Sequence, residues 1–141
     1  MLSQTSEYAL RAVLYVAASG GAAVKIDQIA EALAVPRNYL SKTLHHLARV
    51  GVLSSGRGPN GGFRLAVPPE ELTLSQVVGP FDPFVEGKQC LLGRTVCSDA
   101  SPCAAHGRWQ EISTQVCSFF RETSIADLLS GASTLPSAAV V

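Results

Sequence analysis

The chain has 141 residues, of which 47% are hydrophobic, and its 11 basic side chains equal its 11 acidic side chains in number. This length and apolar content suffice for a packed domain and exclude a chain that is disordered as a whole. The opening segment carries Glu7 and Arg11 where a signal peptide would be apolar, and no run of about eighteen apolar residues follows. We therefore expect a cytoplasmic protein without a membrane partner.

The charges are distributed unevenly along the chain. Residues 1–67 carry seven basic and three acidic side chains, whereas the remainder carries four basic and eight acidic ones. A basic half joined to an acidic half is typical of a protein whose first part meets a polyanion. Ordinary solvated surfaces also produce an asymmetry of this size, so other features must decide.

Three amphipathic helices are predicted in the basic half. Apolar residues recur at i, i+3, i+4 and i+7 in two segments, Leu10/Val13/Leu14/Ala17 and Ile26/Ile29/Ala30/Leu33. A short connection ending in Pro36 leads to a third helix, which has Leu40, Leu44 and Leu47 on one face and stops at Gly51. Two short helices joined by such a turn form a helix-turn-helix pattern.

A β-hairpin is predicted after the third helix. The glycine-rich segment GRGPNGG separates two short apolar stretches, and Phe63 and Leu65 alternate with Arg64 in the second. In this hairpin, or wing, Arg57 lies at the tip and Arg64 on the return strand, where long cationic side chains reach phosphates or a narrow minor groove. The third helix alone would suggest only a packed core helix, and the two arginines alone would suggest only solvated surface charges. Helix, turn, helix and basic wing in this order indicate DNA binding.

The third helix supplies the predicted base and phosphate contacts. Its outward residues near the N-terminus are expected to face the major groove, with His45 one turn further on: Arg37, Asn38, Ser41 and Lys42. Arg37 and Asn38 suit bidentate base contacts, whereas Ser41 and Lys42 suit phosphate. Tyr39 has two interpretations of equal weight, either packing under the helix or donating its hydroxyl to the DNA backbone.

The segments LSQTSEYALRAVLYVA, IDQIAEALAVPRNYLSKTLHHLARVGVL and SGRGPNGGFRLA, followed by a three-cysteine loop, resemble in this order the Rrf family of bacterial winged helix-turn-helix transcription regulators. The resemblance covers about residues 1–130. It implies a mainly α fold with a small β-hairpin wing and a homodimer on pseudo-palindromic double-stranded DNA. It also implies that a long helix after the cysteine loop forms the dimer interface.

The sequence of that helix supports a dimer interface independently. Apolar residues recur there at spacings of three, four and three: Trp109, Ile112, Val116 and Phe119. A partner helix could bury such a seam, which a small domain would struggle to cover alone. Cys117 on the same helix is expected to be a small buried thiol without a role in metal binding.

Three cysteines and a histidine form the candidate metal site: Cys90, Cys97, Cys103 and His106. In a reducing cytoplasm such a cluster is more often metal-binding or reactive than disulfide-bonded. Zinc is chemically compatible, but structural zinc ligands usually come in tight pairs, whereas the first two gaps here are six and five residues. Iron–sulfur clusters tolerate wider spacing, and the resemblance implies a [2Fe-2S] or [4Fe-4S] cluster on the three cysteines.

The resemblance implies two candidates for the fourth ligand. In the branch that regulates iron–sulfur assembly a histidine just after the third cysteine takes this role, which corresponds to His106. In the branch that senses nitric oxide a carboxylate from the first helix of the other subunit does so, which corresponds to Glu7. We favour His106 because its local spacing needs no cross-dimer geometry, and Glu7 is also explained by the helix dipole. The gap of six residues before Cys97 departs from the family spacing of five and five.

These features predict a winged helix-turn-helix domain at residues 1–80, a cluster loop at 81–106, a dimerisation helix region at 107–130 and a flexible tail at 131–141. Paired carboxylates, a nucleophile with an ordered base and a phosphate-binding glycine loop are missing from the sequence, which argues against an enzyme. We expect a transcriptional repressor that senses nitric oxide, redox state or iron status through the cluster. The alternative is a cluster-free regulator of the same fold, switched by cysteine oxidation or by a protein partner.

Overall fold

The computed structural model describes residues 1–87, 90–95 and 98–131. It contains six α-helices, a two-stranded hairpin and a 3₁₀ turn: α1 (Gln4–Ala18), α2 (Ile26–Leu33), α3 (Arg37–Arg49), β1 (Leu53–Gly56), β2 (Gly62–Leu65), α4 (Leu74–Val78), the 3₁₀ turn (Pro83–Glu86), α5 (His106–Glu122) and α6 (Ile125–Gly131). This mainly α fold with a small hairpin confirms the predicted fold class. Among the described residues, no helix combines the length and apolar character needed to cross a membrane.

The helix-turn-helix is formed by α2 and α3, which meet at a tight turn. Ala34 ends α2 in the left-handed region at φ 54°, and Pro36 takes the capping position just before α3. Gly51, at φ 84°, leads the chain out of α3 in a conformation that glycine adopts without strain. The three leucines of the predicted α3 stripe, Leu40, Leu44 and Leu47, are fully buried. The stripe therefore fixes which face of α3 points outward.

The wing is held against the helical domain by a backbone bridge. β1 and β2 pair antiparallel with Ser55 opposite Phe63. Val24, in the α1–α2 loop, exchanges two backbone hydrogen bonds with Phe63, at 2.9 and 2.8 Å. Gly62 lies so close to this loop that a Cβ there would stand 2.6 Å from the Val24 carbonyl oxygen. The glycine thus allows the close approach that orients the wing relative to α3.

The C-terminal helices share the core of the N-terminal domain. The Leu74 amide donates to the Thr123 carbonyl at 3.0 Å, and the Ile125 amide donates to the Leu72 carbonyl at 2.8 Å. Phe120 and Ile125 are buried in the same hydrophobic cluster as α1 and α4. The chain thus runs from α4 through the 3₁₀ turn into the cysteine loop and returns to pack on α4 and α1.

The first residue of the predicted tail belongs to α6. Gly131 is the last residue of α6, because the helix that starts at Ile125 continues to this point. The rest of the predicted tail, residues 132–141, lies outside the described residues.

Candidate DNA interface and metal centre

The outer face of α3 is opposite its buried leucines. Four polar residues share this face because they follow one another at intervals of three or four: Asn38, Lys42, His45 and Arg49. All four are exposed. Asn38, Lys42 and His45 were predicted to face the major groove, and Arg49, seven residues after Lys42, lies on the same face.

Arg37 points toward the start of α2. Its Nε donates to Asp27 Oδ1 at 2.6 Å, and both side chains are exposed. An exposed ion pair of this kind contributes about 0 to 1 kcal/mol, so DNA could displace it at small cost. The structure therefore places Arg37 at the start of α3 with its guanidinium already paired to Asp27.

The ring of Tyr39 packs against α1, and its hydroxyl lies at the protein surface. Its ring meets the ring of Tyr8 edge to face, with centroids 5.6 Å apart, so the ring is packed against α1. Its hydroxyl forms a hydrogen bond with the hydroxyl of Thr5 at the protein surface. The aromatic body thus braces α3, and the polar end remains at the edge of the candidate DNA interface.

The two wing arginines are directed differently. Arg57 lines a cleft of about 410 Å³ between the wing and α3, together with Arg37 and Ser41. The Nε of Arg64 donates to the Gly21 carbonyl at 3.2 Å, in the α1–α2 loop. Side chains alternate along a strand, so Arg64 points away from the face that carries Phe63 toward α3. The structure brings Arg57 to the predicted interface and does not bring Arg64 into this cleft.

Two of the predicted cysteine ligands lie next to each other. The Sγ atoms of Cys90 and Cys103 are 3.8 Å apart, and both residues are half-buried. A disulfide would require about 2.05 Å, so this is a pair of thiols in contact. Cys97 lies outside the described residues. Within the described residues, no group of three or more metal-binding side chains converges.

His106 begins α5 and has a carboxylate partner. Its Nε2 and Asp99 Oδ1 are 2.9 Å apart, and Asp99 is itself exposed. Sequence reasoning missed Asp99, since a spacing of seven residues across an irregular loop carries no periodic signal. Glu7, the alternative fourth ligand, is exposed on α1. The described part of one subunit does not group it with the thiols.

The apolar residues of α5 that were predicted to form one seam have two different surroundings within the subunit. Trp109 stacks on Phe84 of the 3₁₀ turn, with ring centroids 6.3 Å apart, and Val116 packs against the domain core. Ile112 and Phe119 remain 54% and 53% exposed. Two of the four residues of the predicted seam thus pack within the subunit, and the other two remain exposed to solvent.

Cys117 is buried on the inner side of α5, where its Sγ lies 3.7 Å from the Phe84 carbonyl oxygen as a weak donor. This location agrees with the expected packing role. Cys117 is therefore more buried than Cys90 and Cys103, which are both half-buried.

Comparisons with known proteins agree with this architecture. A curated HTH-type transcriptional regulator of Aquifex aeolicus is 37% identical over 131 residues, covering 92% of this chain and 91% of that protein. The HTH-type transcriptional regulator IscR of Aliivibrio salmonicida is 31% identical, covering 91% of this chain and 76% of that protein.

Solved structures show the same fold. The global cysteine regulator CymR of B. subtilis superimposes with a TM-score of 0.76 at 20% identity, covering 92% of this chain and 96% of that chain. IscR of T. potens superimposes with a TM-score of 0.74 at 20% identity, covering 94% and 88%.

The profile of one protein family, described as "Rrf2: Iron-dependent Transcriptional regulator", matches residues 2–131. These relatives are regulators of transcription and not enzymes, and regulation of this kind involves DNA binding. The chain described here belongs to the Rrf2 family.

Proposed function

We propose that the protein is a homodimeric repressor that binds a pseudo-palindromic operator through α3 and the wing, and that an iron–sulfur cluster in the loop at residues 81–106 controls this binding. The observation that carries the proposal is the contact between Cys90 and Cys103 at 3.8 Å, at the junction between the DNA-binding elements and α5. Cys97 and His106 complete the proposed ligand set.

The donor chemistry fits such a group. Thiolates and an imidazole are ligands of iron–sulfur centres, and half-buried thiols limit solvent access. Two thiolates on one tetrahedral metal ion, with bonds of about 2.3 Å, lie about 3.8 Å apart. The spacing of Cys90 and Cys103 therefore fits two ligands of one metal centre.

The role of this chain's own residues is to hold the loop against α5. His106 belongs to both the proposed ligand set and the first turn of α5, so a group bound there would link the loop to that helix. The bound cluster would supply a centre that reacts with oxidants or nitric oxide and that responds to changes in iron supply. Asp99, at 2.9 Å from His106 Nε2, would orient the imidazole.

The direct test is anaerobic purification followed by a visible spectrum and by analysis of iron, sulfide and zinc. We expect absorption in the visible, with about two irons and two sulfides per chain for a [2Fe-2S] cluster or about four of each for a [4Fe-4S] cluster. Cys90→Ser should abolish both, while the matched control Cys117→Ser should keep them. A colourless protein with one zinc per chain, or an equal loss in both variants, would contradict the proposed ligand set.

A second candidate is favoured by the same pair of thiols. Solved structures of similar fold include CymR from Staphylococcus aureus in an oxidized form. Cys90 and Cys103 need to approach by less than 2 Å to form a disulfide, from 3.8 Å to about 2.05 Å. In this case the protein would be colourless, and mild oxidation would change DNA binding in the wild type but not in Cys90→Ser.

A further inference from the structure

The return strand of the wing is attached to the α1–α2 loop at two adjacent residues. Phe63 exchanges backbone hydrogen bonds with Val24, and the next residue, Arg64, donates from its Nε to the Gly21 carbonyl at 3.2 Å. The two side chains point to opposite faces of the strand, because side chains alternate along β2. The ring of Phe63 meets the ring of His45 on α3, with centroids 5.6 Å apart. Arg64 therefore fixes the side of the wing that faces away from α3.

The Gly21 carbonyl lies just beyond the C-terminal end of α1, where a cation is favourable. Carbonyl groups at a helix end lack intrahelical donors and carry partial negative charge. The last turn of α1 contains no basic side chain. In the part of the chain that the structure describes, no backbone amide donates to the Gly21 carbonyl, and Arg64 forms no salt bridge. Arg64 thus supplies both a donor and a cation to this end of α1.

A cavity of about 380 Å³ lies beside this contact, between the end of α1 and the end of the wing. Its walls include Val16 of α1, Leu65 and Val67 at the end of the wing, and the side chain of Arg64. Because side chains of the two elements do not fill this space, dispersion contacts hold the strand less firmly there. The angle of the wing therefore depends on the polar contact of Arg64 as well as on the backbone bridge.

We infer that Arg64 is a positioning residue, whose contact with Gly21 fixes the wing at the angle that brings Arg57, at the tip, to the DNA. In this arrangement Arg64 does not itself contact the DNA. A wing that is released on one side adopts several angles, and only the molecules with the productive angle bind with full affinity. The loss of one hydrogen bond shifts such an equilibrium by about 2- to 12-fold. The inference rests on the proposed contact between the wing and DNA.

Two substitutions of Arg64 separate its donor from its charge. In Arg64→Gln the amide Nε2 stands as many bonds from Cα as the arginine Nε, so the donor is kept and the charge is removed. Arg64→Met has a methyl group at the same place and removes both. Binding of the full-length variants to a duplex selected from a randomised pool is measured by fluorescence anisotropy between about 50 and 200 mM salt.

We expect Arg64→Met to weaken binding by about 2- to 12-fold at every salt concentration, without a change in the slope of log affinity against log salt. Arg64→Gln should keep the wild-type affinity within about twofold. Arg57→Gln, the same change at the tip, should reduce the slope by about one. If both Arg64 variants also reduce the slope by about one, Arg64 contacts a phosphate and the inference is wrong. Equal affinity of Arg64→Met and the wild type would also contradict it.

Amide hydrogen exchange of the free protein tests the attachment without DNA. Peptides that contain the bridging amides of Val24 and Phe63 should exchange about 2- to 12-fold faster in Arg64→Met. Arg64→Gln and Arg57→Gln should exchange as the wild type does. Unchanged exchange in Arg64→Met would overturn the inference and leave the proposed function intact. If the folded wild-type protein does not bind DNA, the proposed function itself fails, whatever the exchange result.

Discussion

At the residue scale, Asn38 and Lys42 are both exposed on the outer face of α3, yet they should contribute differently. Asn38→Ala should relax base preference at one position of each half-site, at a cost of about 1 to 3 kcal/mol, because an amide pairs with a base edge. Lys42→Ala should weaken binding to all sequences alike and reduce the salt slope by about one, because an ammonium group neutralises a phosphate. Binding-site selection and salt titration of both variants check this. Equal losses that do not depend on salt would exclude the assignment.

Asp82 connects the first residues of the loop at residues 81–106 to the start of α1. Its Oδ2 accepts from the Ser3 amide at 2.7 Å. Burial acts to raise the pKa of Asp82, but hydrogen bonds from Ser6 and Ser3 outweigh it, so the pKa lies below the usual 3.8. A depressed carboxyl pKa stabilises the fold above the unfolded-state pKa, and this stabilisation is lost as pH falls through the folded-state value.

Asp82→Asn should therefore lower the free energy of unfolding at neutral pH by about 0.5 to 1 kcal/mol, a value reduced for solvent screening of a partly exposed group. The difference from the wild type should shrink as pH falls below about 4. Urea denaturation at several pH values measures it. Glu122→Gln, an exposed carboxylate at the end of α5, is the control; a pH-independent difference for Asp82→Asn would show that its charge is not involved.

At the scale of elements, α5 carries the open part of the predicted dimer seam. Ile112 and Phe119 are more than half exposed, whereas Val116 packs on its own subunit. Ile112→Glu with Phe119→Glu should give folded monomers that bind DNA poorly, because half-sites read by a two-fold dimer need both subunits. Val116→Glu should instead destabilise the subunit itself.

Analytical ultracentrifugation at micromolar concentration measures the dimer, and circular dichroism confirms that the variants are folded. Glu111→Gln, an exposed change on the same helix, serves as the control and should remain dimeric. Dimers that persist in the double variant would place the interface on another surface.

At the scale of the whole molecule, the first residues of the loop at residues 81–106 contact two helices of the DNA-binding domain, α1 and α3. Asp82 contacts Ser3 at the start of α1, and Phe81 packs on His46 of α3. A conformational change in the loop can therefore alter the position of α3 through packed residues of the same subunit as well as through the dimer interface. If this coupling has the usual size of about 1 to 3 kcal/mol, cluster loss should change operator affinity by roughly 5- to 150-fold.

Operator binding should be compared for the anaerobic protein, for the same protein after exposure to nitric oxide or oxygen, and for two variants. Cys90→Ala should behave like the cluster-free form under all conditions, and Cys117→Ala should switch nearly as the wild type does. Identical affinity in all four cases would mean that the loop does not report to the DNA-binding domain.

The sequence by itself determined the order of the DNA-binding elements. The leucine stripe of α3, the turn before Pro36 and the stop at Gly51 are encoded within a few residues, because helix periodicity and glycine conformations are local properties. The capping residues of α4 are also local: Thr73 and Gln76 hydrogen-bond reciprocally at the spacing of a capping box, a signal that sequence reasoning overlooked.

Only the tertiary structure decided which of these residues meet. The spacing of Trp109, Ile112, Val116 and Phe119 indicated a shared stripe, but not that Phe84 would cover Trp109. The contacts of Cys90 with Cys103 and of Asp99 with His106 arise in an irregular loop, where no periodicity relates sequence spacing to distance. The Tyr39–Thr5 contact spans 34 residues and depends on how α1 packs on α3. Such contacts follow from the packing of whole elements, which local sequence patterns do not specify.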